Sequence, residues 1–162
     1  MRSTIKLGLS LLALALTATV GHAQVQPVGD AAKQGQEMIR AGRLELVRAE
    51  LRLTEEEEPQ FWPVYTAYRA EIDAVQDRYA AMITEYLRRY DAADLTNEYA
   101  DELIVKFIGI KRELLDVQEK YLPEFRAALP SLKVARLFQL ENKINAEVDA
   151  ELALVVPLID PS

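Results

Sequence analysis

The apolar positions of this chain fall into long runs of helical period. Phe61, Tyr65, Tyr68, Ile72, Val75, Tyr79, Met82 and Tyr86 follow one another in alternating steps of four and three. That spacing draws a heptad seam along one side of a helix. Leu103, Phe107, Ile110, Leu114, Val117 and Tyr121 repeat the steps in a second run. Leu137, Leu140, Ile144, Val148 and Leu152 give the apolar side of a last helix, which Pro157 ends. Upstream, residues 31–51 read as a first, shorter helix weakened by Gly35 and Gly42. Its buried stripe is either Leu46, Ala49 and Leu53 or Leu44, Val47 and Leu51. No segment after residue 23 alternates as a half-buried strand. The pattern predicts an all-α fold, an elongated four-helix antiparallel hairpin-like arrangement. Two long heptad-patterned helices dominate it, and a fourth packs back on them.

The helix starts repeat. "LTEEE" at 53–57 and "LTNEY" at 95–99 each place a leucine (Leu53, Leu95) before a threonine cap (Thr54, Thr96). Glu57 stands three residues after Thr54 and completes a capping box, whereas Tyr99 cannot. Glu55 and Glu56 suit the positive end of the helix dipole. A helix from Glu55 to Tyr90 would run ~54 Å at ~1.5 Å per residue. Within it, Pro59 should cost one hydrogen bond and Pro63 should add a bend. Asp91 to Leu95 form a turn, Pro123 kinks or thins the third helix, and Pro130 opens the fourth at its first helical position. Glu85 with Arg89 and Glu102 with Lys106 are favourable pairs on exposed faces.

Tyrosines in the seam need partners or water for their hydroxyls, so a shallow seam, partly open at one edge, is expected. Phe61, Trp62, Tyr65, Tyr68, Tyr79, Tyr86 and Phe107 are therefore candidates for holding a client or partner. The competing reading of the seam residues is helix–helix core or a dimer seam. For Trp62, one position off the seam, it is packing on the first helix.

The N-terminus changes the picture. Arg2 and Lys6 precede the apolar run from Leu7 to Val20, and Gly21 and Ala23 supply small residues before Gln24. This is the pattern of a cleavable secretory signal over 1–23, and it places the protein in the periplasm. A lead-in at 24–30, one helical domain at 31–158 and a tail at 159–162 follow. Without the signal, 17 basic and 26 acidic residues remain, a net charge of −9. Such a chain repels nucleic acid and anionic membrane. The only histidine, His22, lies in the signal, and there is no cysteine. Zinc, copper and nickel sites and nucleophilic triads lose their usual ligands and bases. Four glutamates in one turn, Glu55 to Glu58, point around the helix rather than converge on a cation. Glu56 and Glu57 could do acid–base work only in a dry pocket, which nothing here supplies. No enzyme, metal or cofactor is expected.

The two LT starts, the signal and the long helices together resemble the Spy/CpxP family of periplasmic helical proteins, which carry two LTxxQ motifs. The resemblance runs from about Ala31 to Leu158. "FWPVYTAYRAE" at 61–71 and "LPSLKVARLFQLENKI" at 129–144 look like a subgroup of that family. Glu57 and Tyr99 stand where the motif has glutamine. The resemblance implies a cradle-like, often dimeric fold. It implies an ATP-independent chaperone or envelope-stress factor that holds unfolded or partly folded proteins. Metal sensing, known in the family, has no ligands here. A different role is a regulatory accessory docking on a membrane stress sensor. Its patch would be Lys133, Arg136, Gln139, Glu141 and Lys143, which place mixed charge along the last helix.

Overall fold

The computed structural model describes residues 28–160, with side chains from residue 37 onward. The signal-type segment 1–23, most of the lead-in, and residues 161–162 lie outside the described residues. Within them the chain forms four helices and no strand: α1 (Val28–Leu51), α2 (Glu58–Asp91), α3 (Asn97–Ala128) and α4 (Ser131–Val155). The all-α expectation holds. The first helix begins earlier than residue 31, so the lead-in is shorter than expected. At 24 residues it is as substantial as α4, which has 25. The chain divides into two units, Met1–Ala49 and Glu50–Ser162, a division that falls inside the single domain expected for 31–158. In the first unit Arg43 and Val47 are buried while Leu44 is exposed. Leu51, at the start of the second unit, is also buried, so the i, i+4 stripe of α1 runs Arg43, Val47, Leu51.

The second unit is organised by α2. Its entry is the capping box read from the sequence. The Thr54 amide donates to Glu57 Oε2 at 2.8 Å, and the Glu57 amide donates to Thr54 Oγ1 at 3.3 Å. Residues 55–57 make turns, and α2 proper begins at Glu58. Pro59 falls in the first turn, directly after Glu58, whose amide donates to the Thr54 carbonyl at 3.1 Å. Pro63 is inside α2, on its exposed side.

Contacts fix the directions of the helices. Tyr68 meets Tyr121, Arg78 pairs with Glu113, and Tyr79 meets Phe107, so α3 runs antiparallel to α2. Tyr65 bonds Glu141 and Tyr86 bonds Pro157, so α4 runs parallel to α2 and covers the same seam. Phe61, Tyr65, Tyr68, Ile72, Val75 and Tyr86 are buried, together with Tyr121 and Phe125 of α3 and Val134, Leu137, Leu140 and Ile144 of α4. Aromatic rings form one connected group around Phe125, which lies 6.0 Å from Phe61, 5.3 Å from Tyr68 and 6.1 Å from Phe138. The edge-on contacts of Phe125 with Tyr68 and Phe138 add about 0.5–1.5 kcal/mol each beyond the buried area. The expectation of a shallow seam, partly open at one edge, is corrected from Phe61 to Val75 and at Tyr86, which are buried, and holds at Tyr79 and Met82, which are half-buried. Three hydroxyls find acceptors: Tyr65 on Glu141, Tyr121 on Glu71 and Tyr86 on the Pro157 carbonyl.

The turn between α2 and α3 is a Schellman closure. The Ala93 amide donates to the Tyr90 carbonyl at 3.1 Å and the Asp94 amide to the Arg89 carbonyl at 2.9 Å. Ala93 sits at φ 52°, a left-handed conformation that a Cβ disfavours. Thr96 then caps α3 by accepting from the Tyr99 amide at 3.2 Å. The Tyr99 ring is buried under the Arg89 guanidinium, 4.4 Å from the ring centre, so it holds the turn by packing instead of by a capping-box bond. Ala93→Gly should remove the Cβ penalty and raise stability by about 0.5–1 kcal/mol, after allowing for the looser unfolded chain. Chemical denaturation of the two proteins measures this, and a destabilised glycine variant would contradict the closure described.

Candidate functional site

The candidate residues divide by burial. Phe61 is 0% exposed, and Tyr65, Tyr68 and Tyr86 are also buried. These four form the core between α2, α3 and α4 and offer nothing to a client in the folded state. Trp62 is half-buried, with its ring 4.9 Å from Phe61 and 5.9 Å from Tyr65. Tyr79 is half-buried too. Burial, and then Asp149, push its hydroxyl pKa upward. Phe107 alone among the seven is exposed, at 40%, against Tyr79 and beneath the Lys111 ammonium.

The docking patch on α4 is also largely engaged from within. Lys133 binds the Glu57 carboxylate and donates to the Arg52 carbonyl at 2.9 Å. Arg136 donates to the Glu50 carbonyl at 2.7 Å and binds its carboxylate. The two cations thus clamp residues 50–57 to the start of α4. Glu141 is 2% exposed and faces α2, the opposite of a docking residue. Gln139 and Lys143 remain on the surface. One helix cannot present Lys133, Arg136 and Glu141 on one side when the clamp and the core claim them from different directions.

Glu141 belongs to a buried polar node. It accepts from the Tyr65 hydroxyl at 2.8 Å and from Arg69 Nη1 at 2.9 Å. Arg69 Nη2 binds Asp73 and reaches Gln76 Oε1 at 3.1 Å. Burial works against the Arg69 charge, and the carboxylates of Glu141 and Asp73 outweigh it, so its pKa is raised. Arg69 is the residue sequence reasoning missed. It follows Tyr68 directly and looks like the charged flank of the seam. The one available signal was its i, i+4 spacing to Asp73. Nothing local indicates Glu141, which is 72 residues away.

Two surface features remain. The first is the solvent face of α3, where Val105 is 71%, Ile104 57%, Leu115 55% and Ile108 51% exposed. The segment around Ile104, Val105 and Ile108, "LIVKFIGIKR" at 103–112, contains Lys106, Lys111 and Arg112 and no acidic residue, whereas Leu115 lies between Glu113 and Asp116. The second is a groove of about 470 Å³ between α2 and α3. Met82, Leu103, Gly109 and Ile110 give it apolar walls, and Arg78, Glu85, Lys106 and Glu113 stand among its lining. Among the described residues no group of three or more His, Cys, Asp or Glu side chains converges as a metal site would require, and no helix is long and apolar enough to cross a membrane. No family model matches the chain, and neither a curated protein nor a solved structure matches it.

The node and the surface carboxylates make different predictions. Glu141→Leu leaves a buried cation short of its main partner and should cost about 3 kcal/mol. Arg69→Met combined with Glu141→Leu should recover most of that loss, because a packed apolar pair replaces the buried charges. Urea denaturation of the single and double variants measures both, and a near-neutral single variant would remove the node from the account. Hydrogen bonds from Arg88 and Arg89 bring the Glu85 pKa down from 4.5 to about 2. Lys133 and the Thr54 amide lower that of Glu57, and Lys120 and Tyr121 lower that of Glu71. A carboxylate whose pKa is depressed by folding stabilises the native state above its unfolded pKa, and that stabilisation is lost as the pH falls through the folded value. Melting temperature should therefore decline between pH 4.5 and about 2, and Glu85→Gln should flatten part of the decline. A melting temperature that is level across that window would contradict these pairings.

Proposed function

We propose that this chain is a non-enzymatic binding protein of the cell envelope. It holds unfolded or partly folded segments of other proteins on α3, without ATP. The observation that carries this reading is the row of exposed aliphatic residues, Ile104, Val105, Ile108 and Leu115, on a helix whose other side is locked into the core. Soluble chains seldom leave such a face bare unless something covers it. A row of exposed side chains along one helix cannot enclose a folded ligand, but it can take apolar side chains of an extended segment and release them again. The net charge of −9 left after the signal keeps such a protein dispersed while it carries apolar surface. The signal pattern and the paired LT starts support the same reading through the resemblance to Spy/CpxP proteins. The alternative of an accessory docking on a membrane sensor draws less support, because Lys133 and Arg136 of its patch are spent on Glu57 and Glu50.

Light scattering of a denatured client protein, mixed with increasing amounts of this protein, tests the reading. The wild type should suppress aggregation. Ile104→Asp with Ile108→Asp should need about tenfold more protein for the same effect, as a loss of ~1.4 kcal/mol implies, with helical content unchanged by circular dichroism. No suppression by the wild type at any ratio would end the reading.

A further inference from the structure

Gly109 is out of place on ordinary grounds. It sits in the middle of α3, where glycine costs about 1 kcal/mol relative to alanine. Its φ is not positive, so no left-handed turn requires it. A Cβ built there would meet nothing within 4 Å, so no close helix approach requires it either. Gly42 in α1 shares that emptiness. Gly109 lines the groove between α2 and α3, beside Met82, Leu103 and Ile110. A side chain at 109 would occupy the groove.

The charges around the groove are unequally held. Arg78 and Glu113 pair with each other, and Glu85 is bound by Arg88 and Arg89. Lys106 has a 3.7 Å contact with Glu102, and both side chains are largely exposed. A pair of that length in water contributes little, so Lys106 is the lining charge most readily recruited by an incoming group. Met82 adds an adaptable, unbranched wall that can fit more than one apolar shape. At about 470 Å³ the groove lies within the ~300–1,000 Å³ typical of ligand pockets.

We propose that this groove is an acceptor site for a large apolar side chain of an extended polypeptide, that Gly109 keeps it open, and that Lys106 favours a segment with a carboxylate next to the apolar residue. The proposal rests on the reading of α3 as the client-binding helix and names the chemistry of the segment it takes. The lining carries two basic and two acidic residues, but Glu113 is paired with Arg78 and Glu85 with Arg88 and Arg89, so Lys106 is the charge that sets the preference.

The test uses the chain from Gln24 onward and three fluorescently labelled, unstructured peptides. Each carries a central leucine–phenylalanine pair, flanked by aspartates, serines or lysines. Fluorescence anisotropy should show the aspartate peptide bound several-fold more tightly than the lysine peptide, with the preference reduced by added salt and by Lys106→Gln. Gly109→Leu should weaken binding of the aspartate peptide at least about tenfold while raising the melting temperature, since leucine is a far better helix former. A merely structural glycine cannot give that opposed pair of results. If Gly109→Leu binds as the wild type does, the groove is not the site. If it loses binding but the three peptides bind equally, the carboxylate preference is wrong. Aggregation suppression by wild type and Gly109→Leu alike would overturn this inference and leave the exposed row on α3 as the binding surface. Absence of suppression in both would overturn the proposed function itself.

Discussion

Glu141 has to reach the core. Its carboxylate lies where Tyr65 and Arg69 of α2 converge, and it is the polar contact that sets α4 against the middle of the tyrosine seam. Apolar packing alone would let α4 slide or rotate along a seam made of similar aromatic rings. A buried carboxylate with two specific donors admits one register, because displacement would leave Arg69 desolvated and short of its counter-charge. From that register the rest follows. Lys133 and Arg136 arrive at residues 50–57, Phe138 arrives against Phe125, and Pro157 arrives at the Tyr86 hydroxyl.

The seam is thus committed to holding the molecule together, and this determines where binding can occur. On its heptad side α2 is buried at Phe61, Tyr65, Tyr68, Ile72, Val75 and Tyr86 and half-buried at Tyr79 and Met82. α3 is covered on one side, at Tyr99, Ile110, Tyr121 and Phe125, and bare on another. The bare side carries the aliphatic residues Ile104, Val105, Ile108 and Leu115. The groove opens along the line where α2 and α3 meet, with a glycine that neither conformation nor packing demands. On the proposed function, structural and binding roles are divided between two helices that look alike in sequence.

That likeness explains which features were legible. The capping box at Thr54 and Glu57, the cap at Thr96, the heptad run from Phe61 to Tyr86 and the pair Glu85–Arg89 are local relations, readable from spacing. The aromatic candidates Phe61, Tyr65, Tyr68 and Tyr86 had the right spacing, but spacing does not say whether a third helix covers a seam. Pro59 was read against a helix start three residues too early. In α3, the run Leu103 to Tyr121 identified the core side, and the exposed residues Ile104, Val105, Ile108 and Leu115 fell between its positions unremarked. Glu141 and Arg69 were hidden because a charged residue on a helix reads as solvated until its distant partner is known. The place of Gly109 in a groove depends on two helices at once.

The central claim is that the tyrosine seam from Phe61 to Val75 is closed core and that a client is met on α3 and in the groove beside it. Hydrogen–deuterium exchange of the protein with and without a reduced, unfolded client tests it directly. The account predicts slower exchange in the presence of client over 103–116, with residues 61–75 of α2 unchanged. Protection gained along the seam of α2, with α3 unaffected, would show that α4 leaves the seam to admit the client, and would contradict the account.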